Sequence, residues 1–155
     1  MQKKFWSINI DAPRERIWRT LWEDETYRQW TSAFSETSYA VTDWKEGSKV
    51  LFLDGDGNGM VSRVAVHRPN EYMSIQHLGE VKNGVEDTTS DSVKEWADVH
   101  EIYTLTEPED KEEGMTLTVE LDLDEKHESM FDIMWPKALH KLKDLAEVKP
   151  SRLHH

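Results

Sequence analysis

From Asp124 to about Val148 the chain carries its longest apolar-periodic segment, and a helix of that length needs an equally long apolar surface to cover it. Apolar residues recur at Phe131, Met134/Trp135, Ala138, Leu142 and Leu145/Ala146. That spacing of three and four marks one stripe of a helix. Asp124, Glu125 and Glu128 fall in its first turns, while Lys137, Lys141, Lys143 and Lys149 crowd its second half. Both biases suit the helix dipole. Pro136 is the exception: it has no N–H to offer the carbonyl of Asp132, which predicts a kink near Ile133. Everything upstream has to supply the covering surface.

That upstream chain reads mostly as strands. Lys4 to Ile10 alternates, with Trp6, Ile8 and Ile10 on one face. Asp11-Ala12-Pro13 stops the strand and starts a helix, with Pro13 expected at the first helical position. Ile17, Trp18, Leu21 and Trp22 give this helix a narrow apolar face, and Asp24 opens a second short helix carrying Tyr27 and Trp30. Core packing is the first reading of these tryptophans. Strands are then predicted over Glu36–Trp44, Ser48–Leu53, Met60–His67 and Glu71–Leu78. The turns between them are Lys45-Glu46-Gly47, Asp54 to Gly59, and Arg68-Pro69-Asn70, the pattern of an antiparallel meander.

Gly79 to about Glu95 has no apolar periodicity and reads as a long, mobile loop, with one helical turn capped by Ser90 or Asp91. Two more strands, Ala97–Thr106 and Met115–Leu123, flank an acidic turn from Glu107 to Gly114. That turn reads as solvated, with a docking patch for a basic protein as the alternative. In the last strand Met115, Leu117, Val119, Leu121 and Leu123 alternate with polar residues, so one face is buried and the other wet. The order is strand, two short helices, six strands, long helix. It predicts an α+β fold with a curved antiparallel sheet of about seven strands and its helices on one face. One domain is expected over residues 1–150, with 151–155 as a tail in which His154 and His155 are given no role.

Composition narrows the partners. With 19 basic and 31 acidic residues among 155, the formal net charge is −12. Nucleic acid and anionic membrane surfaces would meet net repulsion. The absence of cysteine excludes disulfides and thiol catalysis and fits a reducing compartment. No apolar run approaches the roughly 20 residues of a membrane helix. The first residues, MQKKFWSINI, lack the pattern of a signal peptide. A cytoplasmic location is the expectation.

Motifs that carry chemistry are sparse. Asp54-x-Asp56-x-Asn58-Gly59 resembles the start of a calcium loop, but Ala65 occupies the twelfth position, where a bidentate carboxylate belongs. The histidines show no metal-ligand spacing, and neither a GxSxG nucleophile nor a glycine-rich nucleotide loop occurs. No metal, cofactor or catalytic residue is therefore assigned. Strand parity singles out two polar residues: Glu101 shares a face with Val99, Tyr103 and Leu105, and His77 shares one with Met73 and Ile75. The rival parity, with His100 and Ile102 inward, would turn Glu101 out.

The whole pattern resembles the helix-grip fold of the START-like (SRPBCC) superfamily, and within it the bacterial proteins similar to the C-terminal domain of the activator of the heat-shock chaperone ATPase. The resemblance rests on Ile10-Asp11-Ala12-Pro13 with Ile17-Trp18, on Trp30, Lys45-Glu46-Gly47 and Gly59, then on Tyr103-Thr104-Leu105 and Gly114-Met115-Thr116-Leu117. It closes on Trp135 with Leu139 and Leu142. The chain departs from the family at Gly47, where a second glycine is common, and at Met134, where glycine is usual. The resemblance implies a ligand cavity or a chaperone-binding surface.

Binding of a small hydrophobic or amphipathic molecule between sheet and long helix is the leading expectation. Its walls would come from Met60, Val64, Met73, Ile75, Tyr103, Leu117, Val119, Met134 and Trp135, with His77 and Glu101 as orienting groups. A co-chaperone-like protein-interaction domain is the alternative. A cyclase, hydratase or hydrolase using Glu101 and His77 as acid and base comes third.

Overall fold

The computed structural model describes residues 2–108 and 114–147. β1 (Gln2–Ile10) leads into α1 (Arg14–Trp22), α2 (Asp24–Trp30) and a 3-10 turn (Thr31–Ala33). Then come β2 (Tyr39–Val41), β3 (Lys49–Leu53), β4 (Gly59–Arg68), β5 (Tyr72–Lys82) and β6 (Val85–Asp87). A single turn, α3 (Asp91–Lys94), precedes β7 (His100–Thr106), β8 (Met115–Leu123) and α4 (Glu125–Glu147). The eight strands form one antiparallel sheet in the order β1-β8-β7-β5-β4-β3-β2, with β6 paired to β5 beyond the end of β7.

The expected architecture is present: an α+β layering of antiparallel sheet and long C-terminal helix, with two short helices after the first strand. The alternation read in β8 is realised residue by residue, with Met115, Leu117, Val119, Leu121 and Leu123 buried. Against that face α4 buries Trp135, Ala138, Leu139, Leu142 and Ala146. The other contribution comes from α1, through Ile17, Trp18, Leu21 and Trp22. No helix among the described residues is long and apolar enough to cross a membrane.

Three local expectations are corrected. The segment from Gly79 is not a structureless loop: β5 continues to Lys82, turns at Asn83-Gly84 and returns as β6. Gly79 makes this possible, because a Cβ there would stand 2.1 Å from the carbonyl oxygen of Asp87. The strand expected over Glu36–Trp44 shrinks to Tyr39–Val41. Thr42 Oγ1 accepts from the backbone N–H of Trp44, Asp43 Oδ1 accepts from that of Lys45, and Trp44 has φ of +59°. Local side-chain bonds of this kind compete with the ladder and end it. Pro13 is the residue before α1 rather than its first.

α4 continues as one helix through Pro136. The tip of the acidic turn, 109–113, and the tail 151–155 lie outside the described residues.

Candidate functional site: a polar-ended aromatic cavity

The sheet and α4 do not pack equally along their length. Beside the N-terminal half of α4 they leave a cavity of about 490 Å³, partly open to solvent. Tyr27, Trp30 and Phe34 from α2 and the turn after it form one wall, and Phe131 and Trp135 of α4 form the next. The sheet contributes Phe52, Met60, His77, Glu80, Glu101 and Tyr103. Trp96 and Val99, between α3 and β7, border it too.

A bulge sets the polar end. Ser62 pairs with His77 and Val61 with Gly79, so Leu78 is an extra residue on β5. Met60, which shares a face with Ser62 by strand period, then pairs with Glu80. The bulge thus puts His77 and Glu80, three residues apart, on the same face of the sheet. On the other side of β5, Ile75 pairs with Glu101 and the His77 N–H donates to the carbonyl of Val99. His77 and Glu101 are therefore diagonal cross-strand neighbours, within reach of long side chains.

They use that reach. His77 Nε2 lies 3.1 Å from Glu101 Oε1, and Ser62 Oγ lies 2.7 Å from His77 Nδ1. The Tyr103 hydroxyl donates to Glu101 Oε2 in a short hydrogen bond. Since a carboxylate only accepts, Nε2 carries the proton toward Glu101, and Nδ1 accepts from the Ser62 hydroxyl when the ring is neutral. Each oxygen of Glu101 then has one protein donor and a lone pair to spare. Ser62 is fully buried, so it orients the ring and cannot meet a substrate. Burial, and then the Glu101 carboxylate, push the phenols of Tyr27 and Tyr103 well above the ordinary tyrosine range.

Trp135 anchors the apolar end. Its ring stacks on Trp6 with centroids 5.8 Å apart, meets Phe34 edge-on at 4.9 Å, and lies 6.1 Å from Tyr103 and 6.2 Å from Trp30. Its indole N–H is buried without an acceptor.

Of the residues singled out in the sequence, the structure gathers Met60, His77, Glu101, Tyr103 and Trp135 around the cavity. Val64, Met73, Ile75, Leu117 and Val119 point the same way but are fully buried in packed core, away from it. Met134 is half-buried and does not line it. Sequence reasoning missed Phe34, Phe52, Glu80, Trp96 and Phe131 as wall residues. Phe52 was within reach, because it shares strand parity with Val50; Glu80 was not, because the bulge reverses its parity.

The remaining polar motifs have structural work. Asp54 Oδ1 accepts from the N–H groups of Asp56 and Asn58, while Asn58 Oδ1 accepts from Asn83 N–H. The calcium-like oxygens thus hold a hairpin together. His67 accepts from Trp18 Nε1 at 3.0 Å through Nε2 and donates from Nδ1 to the Trp44 carbonyl.

A curved antiparallel sheet gripping a C-terminal helix, with a cavity between them, defines the helix-grip class of START-like domains. The chain belongs to the family of Activator of Hsp90 ATPase homolog 1-like proteins, whose model matches residues 11–147. It is similar in structure to protein MLL2253 of Mesorhizobium loti, at 16% identity and a TM-score of 0.71, over 93% of this chain and 96% of that one. It is also similar to the Aha1 dimer of Colwellia psychrerythraea, at 20% identity and a TM-score of 0.69, over 96% and 98%. CalU16 of Micromonospora echinospora aligns at 16% identity and a TM-score of 0.63, over 98% of this chain and 79% of that one. No curated protein matches the sequence. Identities this low speak for the fold alone.

Proposed function

We propose that this is a non-catalytic, cytoplasmic binding module that holds one small amphipathic molecule between the sheet and the N-terminal half of α4. The observation that carries this reading is the cavity itself: about 490 Å³, walled by aromatic rings, with His77, Glu101 and Tyr103 converging at one end. Its volume falls within the range of pockets that take drug-sized ligands, and few, fixed polar groups among apolar walls are what such pockets use for orientation. A filled core would have argued otherwise.

The family supports a second reading. Its description names activation of a chaperone ATPase, and Met130 and Ile133 expose apolar surface on the outer side of α4. Under that reading the domain docks on a chaperone through surface, and the cavity is incidental. A cyclase- or hydratase-like enzyme is a weaker reading, supported by the hydrogen-bonded Glu101 and His77 alone.

Native mass spectrometry of the protein purified from its own host tests the proposal. A co-purifying small molecule at near-stoichiometric occupancy is the expected result. An empty protein that co-purifies with a chaperone would favour the second reading and count against the first.

A further inference from the structure

The electrostatics of the cavity point to the class of ligand, an inference that rests on the ligand-chamber reading above. Glu80, Glu101, Asp122 and Asp124 border the cavity together with His77 and His127, and no lysine or arginine does so among the described residues. Asp122 sits on the outward parity of β8, and Asp124 is engaged by His127 at the start of α4. Glu80 and Glu101 remain as the carboxylates that the register aims inward. Glu80 has a lysine nearby, Lys82, at 3.5 Å, but that side chain is 75% exposed and outside the wall. The Ser62–His77–Glu101–Tyr103 chain thus sets a carboxyl group in a largely apolar surround, with no lysine or arginine on the described walls to offset it.

Such a surround treats charged ligands unequally. An anion entering it would lose water and meet the repulsion of Glu101 and Glu80 with no lysine or arginine on the walls to offset it. A cation would meet the unused lone pairs of Glu101 and the negative faces of the surrounding rings, both stronger where water is excluded. The aromatic wall takes the ligand's body and the carboxylates take its charge.

We infer that the cavity selects an organic cation: an apolar or aromatic body bearing a protonated amine or quaternary ammonium, seated with its charge against Glu101 and among the rings of Tyr27, Trp30, Tyr103 and Trp135. Glu80 provides a second, outer point of attraction near the opening.

Isothermal titration with three probes that share one body tests this: trimethyl(1-naphthylmethyl)ammonium, the neutral 1-naphthylmethanol and the anionic 1-naphthylacetate, at pH 7 and low salt. The ammonium should bind about tenfold tighter than the alcohol, and the acetate about tenfold weaker. Glu101→Gln should cut the ammonium-to-alcohol ratio about fivefold, and Glu80→Gln should cut it less. If Glu101→Gln does not fold, Glu80→Gln and the salt dependence of the wild-type ratio carry the test. Equal binding of alcohol, ammonium and acetate would overturn the inference while leaving the chamber intact. A ratio unmoved by any of these changes would do the same. Failure of all three probes to bind would overturn the chamber reading and this inference with it.

Discussion

The two ends of the interface between sheet and α4 are built from the same layers and solved differently. Toward its C-terminal half, α4 presents Ala138, Leu139, Leu142 and Ala146, all buried, to Ile10 of β1 and to Ile17 and Leu21 of α1. Small and branched aliphatic side chains let the layers close, and Lys143 and Glu147 tie the helix to the backbone of Asn9 and Asp11. Toward its N-terminal half, Phe131 and Trp135 face His77, Glu101 and Tyr103 instead. Large rings and polar groups that must keep their own hydrogen bonds cannot interdigitate as aliphatics do. The filled end holds the fold together, while the open end is free to hold something else.

The largest contrast is expected in stability. Leu142→Ala at the filled end should cost about 2–5 kcal/mol, the transfer term plus an uncollapsed cavity. Phe131→Ala at the half-exposed edge of the open end should cost about 1 kcal/mol, because less area leaves water on folding. Urea unfolding of both variants decides it; equal losses would erase the distinction between the ends.

The open end should also dominate alkaline behaviour. Tyr27 and Tyr103 have folded-state pKa values raised by burial first and by Glu101 second. A raised value means that the folded state holds its phenol protons longer than the unfolded chain. Their contribution is complete below the unfolded-state tyrosine pKa of about 10 and is lost as pH rises from there toward the folded values. Thermal melts between about pH 9 and 12 should show that loss, and Tyr103→Phe should shrink it. A melting temperature flat across this window would contradict the burial of these phenols.

A smaller difference should appear in hydrogen exchange. Met73–Gln76 are paired on both sides, by β4 and β7, whereas Val85–Asp87 pair only with β5 and Asp91–Lys94 form one turn. Amides of the latter two segments should exchange at least about a hundredfold faster, and a bound ligand should slow them. Uniform protection would contradict the ranking of these two segments as the more weakly held part of the sheet.

The smallest effect belongs to Asp124, which accepts from the His127 N–H at the start of α4. The side-chain bond to His127 is the first cause holding its carboxyl below the ordinary aspartate range. A lowered folded-state value contributes stability above the unfolded pKa of about 4, lost as pH falls through the folded value. Asp124→Ala should lower the melting temperature slightly at neutral pH and not at all in strong acid.

Much of this was legible in the sequence, and what was not has a physical reason. The stripe of α4 and the alternation of β8 are long periodic signals, and each survives into the structure intact. Parity put His77 and Glu101 on one face only as one of two readings, because His100 and Ile102 offered a rival inward face in the same strand as Glu101; the register of β5 against β7 decides between them. Gly79–Lys82 was hidden, since a strand made of Gly, Glu, Val and Lys carries no apolar alternation and owes its place to a close backbone approach at Gly79. The bulge at Leu78 has no sequence signature, and with it went Glu80. The depth of the core was equally invisible. Val64, Met73, Ile75, Leu117 and Val119 share parity with true wall residues, and only the position along the strand separates filled core from open cavity.

The indole N–H resonances of the seven tryptophans test the two-ended account most directly, because the rings are divided between cavity and core. Trp30, Trp96 and Trp135 border the cavity, whereas Trp6, Trp18, Trp22 and Trp44 do not line it. Titration with 1-naphthylmethanol, followed by proton–nitrogen correlation spectra, should shift the resonances of Trp30, Trp96 and Trp135 saturably and leave Trp18 and Trp22 in place. Shifts spread evenly over all the tryptophans, or none at any concentration the probe reaches, would contradict a ligand chamber at the N-terminal end of α4.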